Sequence, residues 1–129
     1  MIMREFQINE DDKKIEVGKE LTVDLFKDIT HVHVSGISKG KGFAGVIKRH
    51  GFSRGPETHG SDHHRAPGSI GSMYPQHTLK GRRLPGHMGN ERITVQNLKV
   101  ISIDSKQGLL MVKGAVPGAN GTVLEIVGK

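Results

Sequence analysis

The amino-acid sequence predicts a mainly β fold, a small barrel or sandwich of short strands, interrupted by one long irregular basic extension. Three observations predict it. Apolar, often β-branched residues alternate with polar ones towards both ends of the chain. Twelve of the 18 glycines and four of the five prolines lie between Gly36 and Arg92, where they can neither propagate a helix nor fill a strand-built core. No amphipathic stretch of helical length interrupts this pattern. A chain of 129 residues suffices for one domain with a modest aliphatic core. The expected layout is therefore a single domain over 1–129, with strands within 1–35 and 93–129 and an extended loop over 36–92.

The elements follow in order. "EVGKELTVDLF" sets Leu21, Val23 and Leu25 on one face and predicts a strand, and "HVHVSG" does the same with Val32 and Val34. Beyond the extension, "ITVQNLKVISID" carries Ile93, Val95, Val100, Ile101 and Ile103, a β-branched run suited to a pleated surface. "DSKQG" reads as a turn before "GLLMVKGAV", and "VPGANG" supplies a Pro-Gly and then an Asn-Gly turn before the closing "GTVLEIVGK".

Charge is segregated along the chain. The formal net charge is +6 and the pI about 9.8. Residues 1–35 carry five Lys/Arg against eight Asp/Glu, residues 36–92 ten against three, and residues 93–129 four against two. The middle segment is thus the cationic one, which points to an acidic partner, a nucleic acid before an anionic membrane surface. The absence of cysteine excludes disulfides and thiolate metal sites, and no stretch reads as a membrane span or signal peptide, so a cytoplasmic chain without a membrane partner is expected.

Gly40, Gly42 and Gly45 spell G-x-G-x-x-G, but a dinucleotide site also needs a helix opening at the third glycine and an acidic residue about 20 positions on. "VIKRHG" runs only to Gly51, and Glu57 and Asp62 sit among glycine, proline and histidine rather than at a strand end. A phosphate P-loop cannot be laid on this stretch either. What remains is glycine alternating with Lys39 and Lys41, followed by Lys48, Arg49 and Arg54: small residues let the backbone approach a phosphate chain while cations neutralise it. The alternative is a solvated loop whose charge confers solubility only. "THGSDHHRAPG" offers His59, Asp62, His63 and His64 as metal ligands or as a base with its orienting carboxylate. Gly60, Pro56 and Pro67 oppose the helix that would align them, and Arg65 disfavours a dication. Histidines beside arginines more often donate to phosphate or stack on bases. A small histidine-dependent metal or nucleotide enzyme stands as the rival reading; a serine hydrolase using Ser61 or Ser69 lacks the strand-elbow-helix it needs. "HTLKGRRLPGHMGNERITVQ" adds Lys80, Arg82, Arg83 and Arg92, so the extension reads as two cationic limbs with a nearly uncharged tip, "APGSIGSMYP".

Three blocks, "SGISKGKGFAGVIKRHGFSRGPETHGSDHHRAPGSIG", "LKGRRLPGHMGNERITVQNLKV" and "LLMVKGAVPGANG", strongly resemble the bacterial-type large-subunit ribosomal protein family called L-three, and the opening "REFQINEDDKKIEVGKELTVDLF" is similar to the stretch before them. The resemblance implies a translation-factor-type β-barrel on the subunit surface and an extension threading ribosomal RNA towards the peptidyl-transferase centre. It implies a role in early subunit assembly without catalysis, no cofactor, and partners in large-subunit ribosomal RNA and neighbouring ribosomal proteins. On this sequence the RNA-threading limbs would be Lys39, Lys41, Lys48, Arg49, Arg54, His59, His63, His64 and Arg65 outward, and Lys80, Arg82, Arg83 and Arg92 on return. The tip near the catalytic centre would be Gly68, Ser69, Ile70, Gly71, Ser72, Met73 and Tyr74. In many bacterial members a methylatable glutamine follows "GSIG"; Ser72 stands there, so that modification is not expected. The family's preceding segment, with early barrel strands and a further insertion, is not in this sequence. A fragment, or an engineered stand-alone barrel, would then have an incomplete barrel whose open edges invite self-association.

Overall fold

The computed structural model describes residues 2–7 and 17–129. Met1 and residues 8–16 lie outside the described residues; the latter belong to the opening stretch compared above with the family's. In chain order the elements are β1 (His31–Ile37), β2 (Phe43–Ala44), α1 (Val46–His50), β3 (Gly86–His87), β4 (Arg92–Asp104), β5 (Leu109–Lys113) and β6 (Glu125–Gly128). Four strands form an antiparallel sheet in the order β5-β4-β1-β6, and β2 pairs with β3 in a separate two-stranded ribbon. Among the described residues the large sheet does not close on itself, so the molecule is mainly β with an open, incomplete barrel.

The alternation in "HVHV" does what the pattern predicts. Val32 and Val34 point to one face of β1 and are fully buried against Leu98 of β4. Around them pack Phe26, Ile29, Val95, Val100, Val112, Leu124 and Ile126. Burying an aliphatic side chain of this size stabilises a fold by about 2 kcal/mol, and among the described residues this cluster is the apolar centre of the large sheet.

β4 is long and bends twice. Its register with β1 passes from Val32↔Leu98 to Val34↔Val95, so Gln96 and Asn97 together oppose His33. Asn97 accepts the left-handed conformation that this bulge requires, with φ 57°. Its N–H donates to His33 Nδ1 at 3.2 Å, and its Oδ1 accepts from Lys129 Nζ at 3.1 Å. A second bulge at Ile101 interrupts pairing with β5. The "DSKQG" turn forms as expected, Asp104 Oδ1 accepting from the N–H groups of Lys106 (2.9 Å) and Gln107 (3.3 Å).

One expected strand is absent. Instead of a strand through Leu21, Val23 and Leu25, the chain makes a 3-10 turn over Val23–Phe26. Asp24 decides this: its carboxylate accepts from Thr22 Oγ1 at 3.2 Å and from Ser105 Oγ, and pairs with Lys27 Nζ at 2.7 Å. Those contacts pin the turn to the β4–β5 hairpin, and Lys27 first, then Ser105, hold the Asp24 carboxyl below its ordinary range. Phe26 then reaches the core, while Leu21 and Leu25 stay exposed.

Candidate nucleic-acid interface

The extension begins as a continuation of β1 and β4. Past their last pair, Ile37↔Arg92, the Ser38 N–H donates to Glu91 O at 2.9 Å. Lys41 N–H then donates to Met88 O, and Met88 N–H to Gly42 O, both at 2.9 Å. Phe43↔His87 and Ala44↔Gly86 complete the ladder. The root of the extension is therefore a regular antiparallel ribbon, and irregular backbone starts only beyond it. Gly89 is required here: its φ is 77°, and a Cβ would sit 2.1 Å from Lys39 O.

After the ribbon, α1 is a single turn, ended by Gly51 at φ 70° whose N–H donates to Ile47 O at 3.0 Å. It is too short for the crossover helix of a dinucleotide site. Its two C-terminal side chains tie the limbs together. Arg49 Nη1 donates to Leu84 O at 2.8 Å, and His50 Nε2 to the same oxygen at 3.0 Å.

Residues 55–64 form a closed loop. Gly55 N–H donates to His64 O at 3.0 Å and His64 Nδ1 donates to Pro56 O at 2.8 Å, while Arg54 pairs with Glu57 beside the closure. His59 (φ 60°) and Gly60 (φ 75°) both turn through the left-handed region. Among the described residues no three His, Asp or Glu side chains are arranged to hold a metal ion, so His59, Asp62, His63 and His64 do not converge. Gly68 to Tyr74 are all exposed. The tip is tied to the return limb by Arg82, which donates to Ser69 O, while Ser72 Oγ donates to Tyr74 O at 2.7 Å.

The expected cations thus divide into two sets. Arg49, Arg54, Arg82 and Arg92 bond within the chain. Lys39, Lys41, Lys48, Arg65, Lys80 and Arg83 have no hydrogen-bonded or ionic side-chain partner among the described residues. Arg92 is held by Glu125, with Nη1 3.1 Å from Oε1 and Nη2 on Oε2; Arg4 Nε reaches the same carboxylate at 2.6 Å. Arg92 foremost, with Arg4 behind it, keeps the Glu125 carboxyl below the usual glutamate range.

Beside the ribbon lies an open cleft of about 630 Å³, lined on the outward limb by Ser38, Lys39 and Lys41, on α1 by Arg49 and His50, and on the return limb by His87, Met88 and Glu91. Val116 and Gly118 of the "VPGANG" loop close its sheet end with Ile93. His50, His87 and Val116 line this cleft and are not among the residues expected from the sequence. The register of the two limbs would have brought in His87 opposite Phe43; His50 comes from α1 and Val116 from the loop after β5, which that register does not reach.

The family model described as "Ribosomal protein L3" matches residues 5–109, which take in the whole extension and all of β1 and β4. The chain belongs to the ribosomal protein L3 family. Among curated relatives it is 55% identical over 111 residues to the "Large ribosomal subunit protein uL3" of Oceanobacillus iheyensis, covering 86% of this chain and 53% of that protein. It is 52% identical to the protein of the same name from Carboxydothermus hydrogenoformans, covering 96% of this chain and 59% of the relative. To that of Desulforapulum autotrophicum it is 55% identical, covering 97% and 60%. This L3-family chain spans a little over half the length of the curated relatives it matches. Among its described residues no helix is long and apolar enough to cross a membrane.

Proposed function

We propose that this chain is a structural, non-catalytic constituent of the large ribosomal subunit in the cytoplasm. Its sheet and extension act as one domain: the sheet sits at the subunit surface and the extension lies along ribosomal RNA, aiding early assembly. The exposed tip, Gly68 to Tyr74, would reach towards the peptidyl-transferase centre and support its shape. The observation that carries the reading is the high identity to proteins named as large-subunit components, which extends through the cationic limbs.

The physical basis is charge neutralisation. Lys39, Lys41, Lys48, Arg65, Lys80 and Arg83 meet phosphate directly, while Arg49 and Arg82 hold the backbone that presents them and Arg92 is anchored on the Glu125 carboxylate. Each phosphate neutralised releases condensed counterions, so about six contacts give an affinity that falls steeply with salt. Filter binding of the full chain to a large-subunit ribosomal RNA transcript, repeated across a salt series, tests this. A steep negative slope is expected; binding that is absent, or indifferent to salt, overturns the proposal.

A further inference from the structure

We infer that the cleft at the ribbon root seats a single unpaired RNA nucleotide, its phosphate on the cationic side and its base at the apolar sheet end. This rests on the RNA-binding reading above and specifies which part of the RNA enters. The register sorts the lining along the ribbon. Arg49 and His50 stand at the end far from the sheet, Lys39 and Lys41 in the middle, and Ile93 and Val116 at the sheet end, with Met88 on the return limb between. Arg49 and His50 each spend a donor on Leu84 O, but a guanidinium has five N–H donors, so Arg49 retains the means to bind an anion. Glu91 is the one carboxylate in the lining. It opposes a second phosphate more than it opposes an amine-bearing base edge.

The shape selects for one strand. α1 at one end and the "VPGANG" loop at the other bound an open cleft whose volume lies within the roughly 300–1,000 Å³ usual for small-ligand sites. A duplex keeps its bases stacked inside, so it could offer only backbone and would leave Met88, Ile93 and Val116 uncovered. A splayed-out nucleotide fills both ends, which is how sequence-bearing RNA loops are generally gripped.

The test uses the full chain, isotopically labelled, with three probes: a short single-stranded oligoadenylate, a blunt RNA duplex of equal length, and the large-subunit ribosomal RNA transcript. The oligoadenylate is expected to shift the amide signals of Lys39, Met88, Gly89 and Val116, whereas the duplex leaves Met88 and Val116 unmoved. The Met88→Ser/Val116→Ser variant is expected to bind oligoadenylate about tenfold more weakly, through lost apolar contact, with duplex affinity roughly unchanged. If single strand and duplex perturb the same amides equally while the transcript still binds, the nucleotide seat is wrong and the RNA-binding reading survives. If no probe binds, the transcript included, both are overturned. Signal mapping on the unsubstituted chain keeps the outcome decisive should the variant fold poorly.

Discussion

Single residues decide how the extension leaves the sheet. Glu125 is the clearest case, because its carboxylate gathers Arg4 and Arg92 at the point where β4 emerges. Its native carboxyl titrates below that of an unfolded glutamate, so protons bind the unfolded chain preferentially. The tie therefore contributes fully above the ordinary glutamate range and is lost as pH falls through the depressed native value. Urea midpoints measured against pH are expected to drop below about pH 4.5, and Glu125→Gln is expected to flatten that drop. Asp24, whose carboxyl is lowered by Lys27 and Ser105, adds a parallel acid sensitivity that Asp24→Asn would remove. Glycines give a second test. Gly42 (φ 65°) has open space around a Cβ, whereas one on Gly89 (φ 77°) would strike the Lys39 carbonyl. Thermal unfolding should therefore show Gly42→Ala costing about 1 kcal/mol and Gly89→Ala clearly more, about 2–4 kcal/mol. The sequence marks such glycines as special without saying which are crowded, since crowding comes from the opposite limb. It likewise marks Arg92 as a cation but not as Glu125's partner, 33 residues on.

At the scale of elements, legibility follows the range of the forces involved. β1 is evident from alternation because Val32 and Val34 turn one face into the core, whereas β4 is legible as a β-branched run although Leu98 is its one buried residue. The segment at Leu21 to Leu25 misleads, because its apolar spacing fits a strand while a carboxylate at Asp24 and a hydroxyl at Ser105, 81 residues away, fold it into a turn. The ribbon root is a subtler case. Glycine and lysine there suggest irregular backbone, yet Ser38, Lys41 and Met88 all donate across the limbs at 2.9 Å. Hydrogen exchange of the isolated chain is accordingly expected to show slow amides at Ser38, Lys41 and Met88 and fast ones from Gly68 to Tyr74. Uniformly fast exchange through both regions would mean that the ribbon forms only against RNA.

For the molecule as a whole, the unclosed sheet sets its behaviour in solution. β5 and β6 stand at the edges of the sheet, and Leu109, Met111 and Val127 on those strands are about half exposed. Free backbone donors beside apolar side chains invite pairing with another copy. Sedimentation of the chain without RNA is expected to be concentration-dependent, and Met111→Lys with Val127→Lys is expected to shift it towards monomer. The strand order has another consequence, which concerns biogenesis. β1 is sandwiched between β4 and β6, and the "VPGANG" loop seats Gly118 against the Ile37 carbonyl, where the extension departs. Of the strands that aim the cationic limbs, only β1 is encoded before them; β4, β5 and β6 follow, and such distant pairings form slowly. During translation the nascent limbs would emerge with their charge already on display behind a β1 that still lacks both its neighbours, and only later do β4 and β6 arrive to fix their bearing.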